Sequence, residues 1–441
     1  MPLHGIGADR ARRREDRAGA RRGAMSLQLL VILVPVLFGL MGFAVDLGRL
    51  YMIRSELQQA AQAMALASAG ELAGTAASLE NASEAAQLTI NDTGNKYNFG
   101  SIAIGSSTGL LSSSTEEPAY FESASAALDA GGTGLNADGS TARFVRINLT
   151  ADAPLLFWGL LTLGTSRRTP IAAQAVAGVS SPLCQACGIE PFAIAPLGGA
   201  EDDAEHFGFV PGTRYTLGYQ CTVQPIPGGQ APPGLSGTTR VPYILLNRYN
   251  ENLEIEEQQQ AFRVGAQGML PSTDAAQACV RVTAEQPTET IWLTAMPQLC
   301  STQNVTQTVR AATCGLYTRW DSASHAACQT IPDVDGLTAL YQPDSDIADI
   351  DDYAGSYAGN QRRVITVPIV RTLTTTVEAP MEVLGFRQFL LLPEQGGVSH
   401  SPGDVNARFP VLYIGSAVPV RQGRIDGCTQ SYGPGKVVLH Q

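Results

Sequence analysis

Ala24-Met25-Ser26-Leu27-Gln28-Leu29-Leu30-Val31-Ile32-Leu33-Val34-Pro35-Val36-Leu37-Phe38-Gly39-Leu40-Met41-Gly42-Phe43-Ala44-Val45 is the stretch that decides how this chain is built. Thirteen of its 22 residues are Leu, Ile, Val or Phe, and only Ser26, Gln28 and Pro35 interrupt it. A helix of about 20 residues crosses the hydrocarbon core of a bilayer. The thirteen apolar side chains supply on the order of −6 kcal/mol toward insertion, which outweighs one Gln near the edge. Pro35 can bend such a helix without stopping it, because neighbouring groups or water satisfy the carbonyl it frees.

Charge flanks this run asymmetrically. Residues 1–23 hold seven arginines (Arg10, Arg12, Arg13, Arg14, Arg17, Arg21, Arg22) against Asp9, Glu15 and Asp16, a local +4. The formal total is −11, so the remainder of the chain carries −15. Basic residues before a span and acids after it predict a cytoplasmic N-terminus and an exported C-terminal part. A cleaved secretory signal fits less well. The small-x-small sites Ala63-Met64-Ala65 and Ala67-Ser68-Ala69 lie far beyond the apolar run, behind Asp46, Arg49, Arg54 and Glu56. An acidic bulk behind a basic head also argues against nucleic-acid binding, which needs a basic patch on the folded part.

Beyond the span no helix breaker follows. Leu50, Ile53, Leu57, Ala60, Met64 and Ala67 recur at three- and four-residue steps, with Arg49, Arg54, Glu56, Gln58, Gln59 and Gln62 between them. This spacing predicts one amphipathic helix continuing to about Leu72. Its small seam residues suit either the protein's own domain or a second helix.

Order and spacing here carry a resemblance. Arg21-Arg22-Gly23-Ala24, the apolar run, Gly42-Phe43-Ala44-Val45-Asp46-Leu47-Gly48-Arg49-Leu50-Tyr51, then Arg54, Leu57-Gln58 and the run Ala60 to Ala69 resemble the TadE/TadG-like family of tight-adherence (Tad, or Flp) pilus assembly. The resemblance implies a pilin-like N-terminal helix, an inner-membrane location and a part in building a surface fibre. Gly23, Asp46, Gly48, Arg49, Tyr51, Arg54, Leu57 and Gln58 are the motif positions on the helix. Gln62 and Met64 stand where the family more often has Asp and Ala. Gln28 stands five residues after Gly23, where pilin-type precursors carry Glu. A neutral amide cannot make the charged contact of a carboxylate with a free amino terminus, so an uncleaved anchor is expected.

The expected organisation is a basic tail (1–23), a transmembrane helix (24–45), an extracytoplasmic helical stem (46–92), a small α+β region with a loop-rich start (93–180) and a mainly β, cysteine-containing domain (181–441). The fold class is α+β. Within it, Leu79 to Leu88 reads as a second helix, and Gly100 to Ser140 as loop. Ala142 to Leu149 alternates as a strand, and Thr169 to Val179 reads as a strand of small residues. Between them Leu155-Leu156-Phe157-Trp158-Gly159-Leu160-Leu161 forms an apolar corner too short to span a bilayer. It suits core packing, or contact with the membrane surface or a partner. Further strands are expected over Arg363 to Val370, Met381 to Leu392, Phe409 to Val420 and Lys436 to His440.

All eight cysteines (Cys184, Cys187, Cys221, Cys279, Cys300, Cys314, Cys328, Cys428) follow residue 183. An even set in an exported domain predicts disulfides, with connectivity unreadable from spacing. Cys184-x-x-Cys187 lacks the second close pair of a four-cysteine zinc site, and Pro182 and Pro191 bracket it where a redox motif would open a helix. Acids gather at Asp333, Asp335, Asp344, Asp346, Asp349, Asp351 and Asp352. The weak calcium candidates Asp344, Asp346, Asp349 and Asp351 break the EF-hand pattern at Ala348, and a solvated acidic loop suits them better. Asp321-Ser322-Ala323-Ser324-His325 lacks the spacing of a von Willebrand A metal site.

No Gly-x-Ser-x-Gly elbow, His-Glu-x-x-His pair or Walker A loop occurs, and the histidines (His4, His206, His325, His400, His440) are scattered. A non-enzymatic scaffold or minor pilin-like component of Tad pilus assembly is therefore expected. Its partners would be the lipid bilayer and other pilin-like or Tad assembly proteins, with no cofactor, nucleic acid or small-molecule substrate. The alternative is a membrane-tethered adhesin or binding module, in one form Ca²⁺-dependent; a tethered enzyme ranks third.

Overall fold

The computed structural model describes residues 7–91, 113–115, 118–129, 131, 139–155, 157, 168–187, 189–220, 234–246, 279–282, 315–316, 319, 344, 347, 349–374, 381–392, 394–395, 398–399, 404 and 407–440. Over residues 7–27, 91, 113–115, 154, 236, 394–395 and 398–399 the description is of the backbone alone. The described residues form a mixed helix and strand structure with an apolar N-terminal helix and a mainly β C-terminal region.

Helix α1 (Gly7–Gly70) is continuous through Pro35, so span and stem are one rod. Helix α2 (Ser78–Asn91) follows, where a helix over 79–88 is expected. The stretch read as loop contains β1 (Ser113–Thr115), β2 (Ala119–Phe121) and α3 (Ala124–Leu128). These elements are too short to carry a period of their own. The two strands take their register from β3 (Phe144–Pro154), antiparallel to both, and α3 starts at an N-cap on Ser123. Strand β4 (Arg168–Val179) is the expected strand of small residues.

Compact packing divides the chain into two units. One comprises residues 1–61, 90–116 and 148–174, the other residues 62–89, 117–147 and 175–441. In the first unit the helix face of Asp46, Ile53, Leu57 and Ala60 is buried, and β1 pairs with the distal part of β3, Ser113 opposite Ala151.

The second unit carries most of the strands: β5 (Gln185–Cys187), β6 (Phe192–Ile194), β7 (Arg214–Tyr219), β8 (Thr239–Leu245), β9 (Cys279–Arg281), β10 (Val364–Val370) and β11 (Val383–Leu391). After them come the short hairpin of β12 (Glu394–Gln395) and β13 (Val398–Ser399), then β14 (Phe409–Gly415), β15 (Gln422–Arg424) and β16 (Val437–His440). Six of these close into a barrel in the order β10-β11-β14-β7-β8-β6. Strand β14 stops at Gly415, short of the expected Val420, because the chain turns there at φ +87°.

Alternation along the barrel strands fills its interior. Ile365, Val367 and Ile369 of β10, Tyr215, Leu217 and Tyr219 of β7, and Phe409, Val411 and Tyr413 of β14 share one core with Phe192, Phe209, Tyr243 and Phe389. The outer face is jacketed too. Val364, Leu390 and Leu412 pack with Tyr353 and Tyr357 of helix α4 (Ile350–Ser356) and its C-terminal cap. Val370, Val383 and Phe386 pack with Ala186 and Val280. Covering on both faces is why β10 and β11 are buried at every position and read as nearly unbroken apolar runs.

Several polar groups inside this jacket are paired. Arg319 makes a forked ion pair with Glu190, Nη1–Oε1 2.8 Å and Nη2–Oε2 3.1 Å, with both side chains almost fully buried. Arg363 donates from Nε and Nη2 to the Leu391 carbonyl and from Nη2 to that of Ile347. After α1 ends, Ala73 and Thr75 are stitched to α4 and its cap: Tyr353 Oη donates to the Ala73 carbonyl and Thr75 Oγ1 to that of Tyr357.

Two disulfides bind the three-stranded sheet β15-β5-β9. Cys184 joins Cys428 across 244 residues, and Cys187 joins Cys279, its opposite number in the β5–β9 pair. Crosslinks closing loops of this size contribute on the order of 2–5 kcal/mol. Cys221, Cys300, Cys314 and Cys328 lie outside the described residues.

Candidate functional site

The helix of the motif residues is where sequence and structure converge. Among the described residues it is the one helix long and apolar enough to cross a membrane. From Leu29 to Met52 its large apolar side chains stand mostly exposed, the reverse of the barrel.

Motif positions divide into two faces. On the inner face Gly42 and Asp46, one turn apart, hold the corner after β3. A Cβ on Gly42 would lie 2.7 Å from the Phe157 Cβ, so only glycine leaves room for that ring. Asp46, 4% exposed, accepts the Phe157 amide N–H at 3.0 Å. Farther along, Leu57 is buried, and Gln58 Nε2 donates to the Gln174 carbonyl of β4 at 2.8 Å. Gly23 lies inside the unbroken helix.

The outer face is bare. Tyr51 is 77% exposed, Arg54 is exposed, and a Cβ on Gly48 would meet no atom within 4 Å, whereas Arg49, seven residues from Gly42 and so on the inner side, is half-buried. With Leu40, Ala44 and Leu47, Gly48 and Tyr51 form an apolar and small-residue strip opposite the one that packs on the protein's own strands. The motif therefore has two physical jobs, internal clamping and an open flank. Sequence spacing showed the seam; the partner of Gly42 and Asp46, more than a hundred residues away, gave no local signal.

The remaining candidates are structural in their surroundings. Asp344 is buried and accepts from the Tyr357 hydroxyl at 2.7 Å, the Arg363 N–H at 2.9 Å and the Asn360 N–H at 3.0 Å. Burial, and then the nearby Asp344 carboxylate, push the Tyr357 hydroxyl well above its ordinary pKa. Asp349 caps α4 by accepting the Asp352 N–H. Asp351 and Asp352 are exposed in the first turn of that helix. Asp333, Asp335 and Asp346 lie outside the described residues, as do Asp321 and His325. Among the described residues no three His, Cys, Asp or Glu side chains gather as a metal site would need. Cys184 and Cys187 are each joined to a distant partner.

One cluster escaped the sequence reading. At one end of the barrel Arg387 donates to the carbonyls of Ala204 and Glu205 and lies 4.6 Å from the Phe207 ring centre. Asp203 accepts from the N–H groups of Gly208 and His206, which hold its carboxyl below the ordinary range. His206 Nδ1 meets the Tyr413 hydroxyl at 3.1 Å. Burial raises that hydroxyl to about 12. Phe207 at φ +53° and Gly208 at φ +79° show how tightly this loop turns over the barrel. These contacts fasten a loop over the barrel.

An apolar helix with one clamped and one open flank thus continues into a disulfide-bonded, mainly β region. Residues 23–71 match the Tad family model, described as "Putative Flp pilus-assembly TadE/G-like". That match points to a role in Flp pilus assembly and to a family that is generally structural rather than enzymatic. Together with the apolar helix, it suggests a single-pass membrane anchor and fits association with Tad partners. No curated protein and no solved structure matches the chain.

Proposed function

We propose that this protein is a membrane-anchored, non-enzymatic scaffold of Tad pilus assembly, TadG-like or minor pilin-like. Its N-terminus would be cytoplasmic, its span in the inner membrane and its β domain periplasmic. The observation that carries the reading is the open flank of α1: Leu40, Leu47 and Tyr51 stay exposed on a helix whose other face is already occupied. An assembly protein needs such a flank to pack with other pilin-like helices within the bilayer and just outside it. Arginines ahead of the span support the orientation, and two disulfides support an oxidising compartment for the β domain.

The test is a deletion strain assayed for surface pili by shearing, complemented with the full chain. Loss of sheared pilin and its restoration by the intact gene are expected; undiminished pili would overturn the proposal. Reporter fusions after Val179 check orientation, with alkaline phosphatase active and green fluorescent protein dark.

A further inference from the structure

Phe157 meets helix α1 at a level that the apolar run still occupies. Gly42 lies three residues before Val45, where that run ends, so it sits about 4–5 Å inside the end at about 1.5 Å rise per residue. The Phe157 ring rests on the helix at that glycine, its Cγ 2.9 Å from where a Cβ would stand. Around the contact Leu40, Met41 and Phe43 are exposed, and Phe157 is itself 47% exposed. A residue seated there cannot stay in water while the helix beside it is in lipid.

The polar atoms are arranged to allow it. Non-helical backbone at membrane depth is tolerated only where its hydrogen-bonding groups are satisfied. The Phe157 N–H is satisfied by Asp46 Oδ2. The same bond turns the Asp46 carboxylate inward, where it is almost fully buried instead of facing acyl chains.

The geometry points to a second lipid contact in this protein: Phe157, seated on Gly42 and tied to Asp46, enters the same leaflet as the end of α1. Phenylalanine is among the side chains whose transfer into the hydrocarbon is favourable. Phe157 follows the end of β3 by three residues, so the contact holds that strand end at the membrane surface. The inference rests on the reading of α1 as a membrane anchor.

Benzoyl-phenylalanine placed singly at Val34, Arg54 or Phe157 of the full chain in native membranes tests it, with photo-adducts identified by mass spectrometry. Lipid acyl adducts are expected at 34 and 157 and none at 54. Adducts to lipid at 34, with only protein adducts or none at 157, would overturn the inference and leave the anchor standing. Absence of lipid adducts at 34 would overturn the anchor itself. Adding Gly42→Leu should abolish the lipid adduct at 157 and spare that at 34. Persistence at 157 would show that the glycine seat does not place the ring.

Discussion

Leu33 in α1 and Phe389 in β11 are both large apolar side chains, yet the first is 47% exposed and the second 0%. On the proposed reading, one chain meets two solvents. The barrel follows the rule for water, turning aromatic residues inward and jacketing its outer face. The helix from Leu29 to Val45 does the reverse, turning apolar residues outward as the proposed membrane anchor requires. The difference teaches that exposure alone is no measure of misfit; it must be judged against the medium that surrounds each region.

Substitution pairs can break that contrast. The largest effect is expected for Phe389→Ala, which empties a fully buried site among Phe209 and Tyr413 and should cost about 3–5 kcal/mol. Leu33→Ala should leave the same transition unmoved, because that side chain is half exposed on α1 and empties no core site. Near-ultraviolet circular dichroism of the full chain in detergent reads both. Equal shifts for the two variants would mean that the helix is part of the same core.

A middle-sized effect is expected for Glu190→Gln. It keeps the shape and one acceptor oxygen but removes the charge facing Arg319, and should cost about 1.5–3 kcal/mol in the same melt, the range for a hydrogen bond to a charged group.

The smallest effect concerns Asp203, whose folded pKa lies below its ordinary 3.8 because two backbone N–H groups favour the ionised form. A depressed carboxyl adds stability that is fully present above the unfolded value and fades as pH falls through the folded one. Wild type should therefore melt slightly higher than Asp203→Asn at neutral pH. The gap should narrow below pH 3.8 and vanish once the carboxyl is protonated in both states. A gap that stayed constant through this range would remove the charge from the explanation.

Legibility differed along the chain for physical reasons. Long periodic elements were readable: α1, α2, β4, β10 and β11 carry enough residues for hydrophobic period or run to stand out. Short ones were not. Strands β1, β2 and β6 have three residues each and exist because a neighbour supplies their hydrogen bonds. Buried arginines were equally hidden, since Arg363 and Arg387 look like surface residues until the carbonyls of Leu391 and Glu205 are beside them.

For the site, the motif from Gly42 to Gln58 was visible as a pattern, but half its meaning was not. Sequence alone determined the oily run, its basic flank, the amphipathic seam and the set of cysteines, because each is a property of neighbouring residues or of composition. Only the tertiary structure decided that six strands close into a barrel, that Cys184 takes Cys428 and Cys187 takes Cys279, and that Gly42 and Asp46 receive Phe157. Those are choices among distant partners. They are settled by which arrangement buries the most apolar surface with its polar atoms satisfied, a quantity that no local stretch contains.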